Sequence, residues 1–200
     1  FMACEFAKQI VPFVRGCGFE PILSDSFVTT PSCSFYAKEV GCLGALVITA
    51  SHNPYNWLGL KIKSFNGCSV DESFTSEIEK RLMLGNLIEK IEDANQLVDI
   101  KNFHLDKIKS LFDIDFISNR LKKMKLRIFV DSMHGSAANC MADIFASNDS
   151  EVISEIRKDS DPFFGGKPPE PLLNYLDDLN QILIKNSTSE VKTLGIIFDG

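Results

Sequence analysis

The sequence predicts an α/β protein with two domains, and three observations support this class. Short apolar runs alternate with longer amphipathic stretches along the chain. Over residues 126–198 the alternation gives strand, helix, strand, helix, strand, which is typical of a parallel sheet with right-handed crossovers. The chain has 44% hydrophobic and 24% charged residues, as soluble globular proteins do, and its apolar residues are numerous enough to form a core. Because the pattern resets at Leu126, we place a boundary near Lys125, between a first domain over 1–124 and a second over 125–200.

The elements of the first domain follow from apolar spacing and turn residues. Thr30 is predicted to cap a helix that has Pro31 at its first position, and Asp71 to cap another. The apolar run over 45–49 predicts a strand buried on both faces, whereas 60–65 alternates apolar and basic residues and predicts one solvated face. The predicted elements are helices over 3–14, 31–40 and 72–84, a helical stretch over 105–123, and strands over 21–24, 45–49 and 60–65.

The second domain should hold strands over 126–130, 151–156 and 194–198 and helices over 136–146 and 171–185. In such sheets, ligands meet the loops that follow the carboxyl ends of the strands. Three loops satisfy this rule, namely 51–59, 131–136 and the segment from Asp199 onward. We therefore look for a binding site in these loops.

Composition and charge exclude several classes of function. The net charge is −6 and the basic residues are scattered, which argues against a nucleic-acid partner. No apolar run is long enough to span a bilayer, and no signal peptide is visible at the amino terminus. The six cysteines form no CxxC pair and show no metal-ligand spacing, so they predict reduced thiols in a cytoplasmic protein.

The run Leu-Val-Ile-Thr-Ala-Ser-His-Asn-Pro over 46–54, followed by Gly59 and Lys61, closely resembles the active-site loop of the α-D-phosphohexomutases. The resemblance continues in order through 66–69, 130–135, 164–171 and 195–200, and so covers essentially the whole chain. It implies two three-layer α/β domains of the phosphohexomutase type. The first would lack its amino-terminal part, and the second would be truncated after its third strand.

The resemblance implies that Ser51 is the nucleophile that carries the phosphoryl group. A mutase must give a phosphate to one hydroxyl and retrieve one from another, and a serine carrier splits this task into two substitutions. Lys61 would take the place of the family's acid/base lysine, although a strand lysine is also commonly just solvated. His52 and Asn53 would orient the serine loop or contact the transferring group by hydrogen bonds. Without its neighbours, a serine loop of this kind could equally be an ordinary turn.

A phosphorylated Ser51 needs a cation, because phosphoserine adds roughly −1.5 to −2 charge. Mg²⁺ prefers oxygen ligands, and the family's metal loop reads Asp-Gly-Asp-x-Asp-Arg at a strand end. The chain shows Asp199 followed by Gly200, so Asp199 and the phosphate on Ser51 are the predicted metal ligands.

Further residues in the predicted loops are candidates for support of the substrate or of the site. For Asp131 and His134 we favour a structural role, since Gly135 permits a tight turn after the strand. Lys167 and Glu170 lie in a loop that the resemblance puts near the active-site cleft, although an ordinary surface loop has the same composition.

The resemblance implies an intramolecular phosphotransferase that interconverts hexose 1-phosphate and hexose 6-phosphate, glucose or mannose, through a bisphosphorylated sugar. One alternative is phosphoglucosamine mutase, whose loop often has Ser where this chain has Thr49. Another is a non-catalytic sugar-phosphate-binding relative. We expect sugar phosphates as partners of a monomer or homodimer. The family's amino-terminal Thr-Ser-Gly-x-Arg-Gly segment, its other metal carboxylates and its third and fourth domains are not in this sequence, so we expect the 200-residue piece to be inactive.

Overall fold

The computed structural model describes residues 2–85, 88–145 and 152–200, and these form two compact units. The amino-terminal unit consists of Met2–Thr49 and Leu58–Lys101. The carboxyl-terminal unit consists of Ala50–Trp57 and Asn102–Gly200. The domain boundary near Lys125 stays a prediction, while the compact units divide at Lys101.

The amino-terminal unit contains two small pairs of strands with helices beside them. Its elements are α1 (Ala3–Gly16), β1 (Ile22–Ser24), α2 (Thr30–Glu39), β2 (Gly44–Thr49), β3 (Gly59–Ser64), α3 (Glu72–Leu82) and β4 (Gln96–Val98). β1 and β4 are parallel, whereas β2 and β3 form an antiparallel pair that runs from Gly44 opposite Ser64 to Thr49 opposite Gly59.

Two helix starts in this unit are set by side-chain caps. Asp71 accepts a hydrogen bond from the Phe74 N–H at 3.0 Å, as the sequence predicted. The cap of α2 was predicted one residue too late, because the side chain that accepts from the Ser32 N–H, at 3.2 Å, belongs to Thr29. Thr30 is instead the first residue of the helix.

The prediction that β2 is buried on both faces is wrong. Val47 is buried, but the adjacent Leu46, whose side chain points to the opposite face, is 48% exposed. An apolar run shows that a strand can be buried, but the neighbouring elements decide how many of its faces are covered.

The carboxyl-terminal unit is built on a three-stranded parallel sheet, as predicted. From Ile100 onward the elements are α4 (Ile100–Leu111), α5 (Ile114–Lys123), β5 (Leu126–Asp131), α6 (Cys140–Phe145), β6 (Ile153–Ile156), α7 (Asp177–Asn186) and β7 (Lys192–Ile197). Two short 3₁₀ turns, Phe164–Gly166 and Leu173–Tyr175, precede α7. β5 is the central strand and pairs in parallel with both β6 and β7.

Three predicted elements of this unit differ in extent. The helical stretch over 105–123 is two helices, because Asp113 interrupts it and caps α5 by accepting from the Phe116 N–H at 2.8 Å. The helix predicted over 171–185 begins only at Asp177, after a 3₁₀ turn. The helix predicted over 136–146 begins at Cys140. Residue 146 of this prediction lies outside the described residues, and so does Glu151, the first residue of the predicted second strand.

The core of this unit lies around β5 and β6. Its buried residues are Ile128, Val130, Val152 and Ile153, and the partly buried hydrophobic residues around them are Leu121, Leu126, Met141, Phe145, Ile196 and Phe198. The helix α7 approaches β7 closely at Gly195, where a Cβ atom would lie 3.0 Å from Leu179 Cδ2. In the part of the chain that the structure describes, no helix has both the length and the apolar character needed to cross a membrane.

Leu179→Ala should destabilise the protein by about 2–5 kcal/mol, because it removes a buried side chain and leaves a cavity between α7 and the sheet. Leu179 is 2% exposed. Ile184→Ala on the same helix is the matched control, since Ile184 is 77% exposed and its loss should change the free energy of unfolding by less than about 0.5 kcal/mol. Urea denaturation measures both values, and equal losses would contradict this packing of α7.

Candidate active site

The three strands of the carboxyl-terminal unit end at one edge of the sheet, because they are parallel. Asp131 is the last residue of β5, Arg157 directly follows β6, and Asp199 lies just after β7. The loops that leave this edge carry most of the polar residues singled out above.

Asp131 and Arg157 form a buried ion pair at this edge. The Asp131 side chain is fully buried, and its two carboxylate oxygens accept hydrogen bonds from Nε of Arg157, at 2.7 Å, and from the NH2 group of Arg157. The same carboxylate accepts from the Met133 N–H at 3.0 Å, and Arg157 also donates to the Tyr175 carbonyl at 3.2 Å. A bidentate pair with additional partners is the arrangement in which two buried charges are tolerated.

The turn after β5 is held in an unusual backbone conformation. Met133 and His134 both have left-handed φ angles, 46° and 58°. The His134 N–H donates to the Arg157 carbonyl at 2.7 Å, and its Nδ1 lies 2.8 Å from the Asp159 carbonyl. These contacts connect the loop after β5 with the loop after β6 through His134.

The end of β7 lies against the same turn. The Phe198 N–H donates to the Asp131 carbonyl at 2.9 Å, and the Gly200 N–H donates to the Pro169 carbonyl at 3.0 Å. A Cβ atom on Gly135 would come within 2.6 Å of Gly200 Cα, so a glycine is needed where the two segments meet. All three loops of the edge are therefore in mutual contact.

The loop before Lys167 is shaped by Asp161, whose carboxylate accepts from the N–H groups of Phe163 and Gly165, both at 2.8 Å. These two hydrogen bonds lower the pKa of Asp161 below its ordinary value of 3.8, with a smaller electrostatic contribution from His134. Gly165 has a φ of 66°, and a Cβ atom there would lie 3.4 Å from His134 Nε2. The turn is thus fixed by its own carboxylate and rests against His134.

The serine loop, Ala50–Trp57, follows β2 in the chain but belongs to the carboxyl-terminal unit. Ser51 is half-buried and has a left-handed φ of 55°. Asn53 closes the turn, since its main-chain N–H and its side-chain amide donate to the Ala50 carbonyl at 3.1 and 2.8 Å. A non-glycine residue in this conformation costs on the order of 1–3 kcal/mol and is found preferentially at functional sites.

His52 and Tyr55 both connect the serine loop with the sheet edge. His52 Nδ1 lies 4.0 Å from Asp199 Oδ2, and both side chains are about half exposed. The rings of Tyr55 and Phe163 meet edge to face, with 4.8 Å between their centroids and 74° between their planes. The serine loop therefore contacts both the end of β7 and the turn that follows Asp161.

The remaining predicted residues lie in different places. Lys167 is exposed and Glu170 is half-buried in the loop that leads to α7. Lys61 is exposed on β3, opposite Val47, and so belongs to the amino-terminal unit rather than to the unit that carries Ser51.

The sequence reasoning missed four residues that shape the site. Arg157 could have been found, because it follows a predicted strand at the position that Asp131 and Asp199 occupy on theirs. Asp161 is followed by Pro162 and, four residues on, by two glycines, so it could have been recognised as a turn residue. The ring pair of Tyr55 and Phe163 left no signal, since the two residues are far apart in the chain.

The residues that the structure describes provide only part of a binding site for a magnesium ion. Within them, no group of three or more His, Cys, Asp or Glu side chains could hold a metal. Asp199 offers one exposed carboxylate at a strand end, which is a hard oxygen donor of the kind that Mg²⁺ prefers.

The fold and the site define an α/β protein with its polar loops at the carboxyl edge of a parallel sheet. Residues 1–85 match the family model described as phosphoglucomutase/phosphomannomutase, alpha/beta/alpha domain I, and residues 102–200 match that of domain II. The chain therefore belongs to the phosphoglucomutase/phosphomannomutase family, which confirms the resemblance and the fold class. The second match begins where the carboxyl-terminal unit resumes, at Asn102.

Individual relatives agree with this assignment. The chain is 28% identical to a phosphoglucomutase of Staphylococcus haemolyticus over 98% of its own length and 39% of the relative's. It is 29% identical to a phosphoglucosamine mutase of Campylobacter jejuni over 86% and 37% of the two lengths. The fold of the exocytosis-sensitive phosphoprotein pp63/parafusin of Paramecium matches with a TM-score of 0.80 and 21% identity, over 100% of this chain and 42% of that one. The chain thus spans about two-fifths of these relatives.

Breaking the buried ion pair should be costly. Arg157→Met leaves Asp131 buried without its counter-charge, and we expect a loss of about 3–5 kcal/mol in the free energy of unfolding. The matched control is Lys125→Met, which removes an exposed ion pair with Glu190 and should cost at most about 1 kcal/mol. In urea denaturation, the double variant with Asp131→Asn should lose less than the sum of the two single variants, and strict additivity would contradict the pairing.

The Asp161 turn should depend on pH. Because its pKa is lowered in the folded state, the ionised carboxylate stabilises the turn above pH 3.8, and this contribution is lost as the pH falls through the folded-state value. NMR titration should show the amide shifts of Phe163 and Gly165 following the Asp161 carboxyl group. Asp161→Asn should abolish this titration, and an unchanged titration in that variant would contradict the assignment.

Proposed function

We propose that the protein is a phosphohexomutase that interconverts hexose 1-phosphate and hexose 6-phosphate, with glucose or mannose as the sugar. The observation that carries the proposal is the geometry of Ser51, a left-handed residue in a loop whose His52 lies 4.0 Å from Asp199. Membership of the phosphoglucomutase/phosphomannomutase family supports it, and so do relatives named phosphoglucomutase.

In the proposed reaction, Ser51 carries a phosphoryl group that passes to a hydroxyl of the sugar. The bond from Ser51 Oγ to phosphorus breaks and a bond from the sugar oxygen to phosphorus forms. The proton of the sugar hydroxyl goes to a base, and Ser51 Oγ takes up a proton from an acid. The bisphosphorylated sugar then returns its other phosphoryl group to Ser51 by the reverse set of bond changes. Lys61 is the proposed acid/base group, while Asn53 holds the turn and His52 orients the loop or the transferring group.

Mg²⁺ is the proposed cofactor, and it would neutralise negative charge on the phosphoryl group. Asp199 would supply one oxygen ligand, and the phosphate on Ser51 would supply another. His52 lies beside this carboxylate and would help to fix its orientation.

Sugar phosphates are the proposed partners of a cytoplasmic monomer or homodimer, with no role for nucleic acid or membranes. Lys167, Glu170 and His134 lie in the loops of the sheet edge and would support substrate binding there. Phosphoglucosamine mutase is the second candidate, because relatives of that name are 29% identical to the chain. Thr49 favours the hexose reaction mildly, since the loop of the glucosamine enzymes often has Ser at that position.

Ser51→Ala should abolish the covalent phosphate on the protein and with it the mutase activity. The measurement, made on the full-length protein because we expect the 200-residue piece to be inactive, is intact mass after incubation with a hexose bisphosphate, together with turnover of glucose, mannose and glucosamine 1-phosphates. Ser51→Gly should lose the phosphate equally, yet be about 1 kcal/mol more stable than Ser51→Ala, because glycine adopts the left-handed conformation without strain.

Ser69→Ala is the matched control, because Ser69 is an exposed serine near the other end of β3, where it accepts from Lys63. This variant should keep both phosphate and activity. Full activity of Ser51→Ala would overturn the nucleophile assignment, and phosphorylation without turnover on any of the three sugars would favour a non-catalytic relative.

A further inference from the structure

The Tyr55–Phe163 ring pair is a contact that the proposed chemistry does not use. Tyr55 lies in the same loop as Ser51, and Phe163 lies in the turn that Asp161 shapes. We propose that this pair, called here the aromatic clamp, positions the serine loop at the edge of the sheet. The clamp gives Tyr55 and Phe163 the role of positioning residues for the nucleophile.

The hydrogen bonds of Asn53 and Trp57 shape the serine loop from within. Asn53 donates to Ala50, and the Trp57 N–H donates to the Pro54 carbonyl at 2.9 Å. Bonds of this kind fix the shape of a turn but not its place relative to the strands. The ring of Tyr55 instead contacts a residue of a separate segment.

The contact between His52 and Asp199 at the sheet edge is exposed to solvent. His52 and Asp199 are about half exposed and 4.0 Å apart, so water and salt screen their interaction. An edge-to-face aromatic pair depends on ring geometry and apolar area rather than on net charge. Tyr55 and Phe163 are themselves 44% and 50% exposed, but added salt should weaken their contact less than it weakens the contact of His52 with Asp199.

The main chain of Phe163 is held within its turn by hydrogen bonds. Its N–H is bound by the Asp161 carboxylate at 2.8 Å, and its carbonyl accepts from the Gly166 N–H at 2.9 Å. The same turn rests against His134, which is itself bound to the loop after β6. Movement of the Tyr55 ring away from Phe163 would therefore release the serine loop and leave the turn in place.

The test uses Trp57, the only tryptophan of the chain, as a probe within the serine loop. Tyr55→Leu and Phe163→Leu each remove one ring, and time-resolved fluorescence anisotropy measures the local motion of the indole. An aromatic pair should shift the ratio of held to released loop by about two- to tenfold. We expect both variants to increase the fast phase of the anisotropy decay, and the double variant to match the single ones.

Two controls separate the clamp from a general loss of structure. Tyr55→Phe keeps the ring and should behave as the unaltered protein. Phe116→Leu makes the same substitution at an exposed phenylalanine on α5 and should leave Trp57 unchanged. An unchanged anisotropy decay in Phe163→Leu, or a response of Tyr55→Phe equal to that of Tyr55→Leu, would overturn the clamp.

The importance of the clamp for Ser51 rests on the proposed function, and a second readout keeps the two apart. In a mutase assay of the full-length protein, both ring-removing variants should lower kcat about two- to tenfold with KM unchanged, and Tyr55→Phe should keep the kcat of the unaltered protein. The variants could change the anisotropy decay while the unaltered protein carries no phosphate on Ser51. That result would support the clamp and would contradict only the phosphohexomutase activity. If the variants lowered kcat/KM only by raising KM, the proposal that the clamp positions Ser51 would be contradicted.

Discussion

The buried pair of Asp131 and Arg157 is the interaction on which the carboxyl edge of the sheet depends. Arg157 connects the end of β6 to the end of β5 and to the Tyr175 carbonyl, which lies before α7. The main chain of Asp131 in turn receives the Phe198 N–H at the end of β7. The side-chain carboxylate and the main-chain carbonyl of Asp131 thus connect the ends of all three strands. Because both charges are desolvated, each is tolerated only while the other is in place.

This fixed edge allows backbone conformations that would be unfavourable elsewhere. The left-handed residues Met133 and His134 follow Asp131 directly, and Arg157 is itself left-handed. Each such residue costs free energy, so the turn persists only because the ion pair and its hydrogen bonds hold it in this shape. The close approach of Gly135 and Gly200 depends on the same turn.

The parts of the structure that depend on local pattern could be predicted from the sequence. The parallel sheet followed from the alternation of apolar runs and helices, and the serine loop from a contiguous string of residues. The exposure of Leu46 could not be predicted, since a run of apolar residues does not reveal which faces other elements cover. Asp113 was overlooked as a helix cap inside a stretch of helical spacing. Arg157 could be recognised as a strand-end residue, but its pairing with Asp131 and the contact between Tyr55 and Phe163 join distant segments, and spacing along the chain does not encode such pairings.

The serine loop lies between two strands of the amino-terminal unit in the sequence but contacts residues of the carboxyl-terminal unit. Ser51 follows β2 and precedes β3, so its place in the sequence suggests that the hairpin of the amino-terminal unit determines its position. The contacts of His52 and Tyr55 are instead with Asp199 and Phe163, and they assign the loop to the carboxyl-terminal unit. The geometry between the proposed nucleophile and the proposed metal ligand is therefore set within one compact unit. It follows that contacts with the sheet edge, and not only the strands on either side of the loop, contribute to where Ser51 lies relative to Asp199.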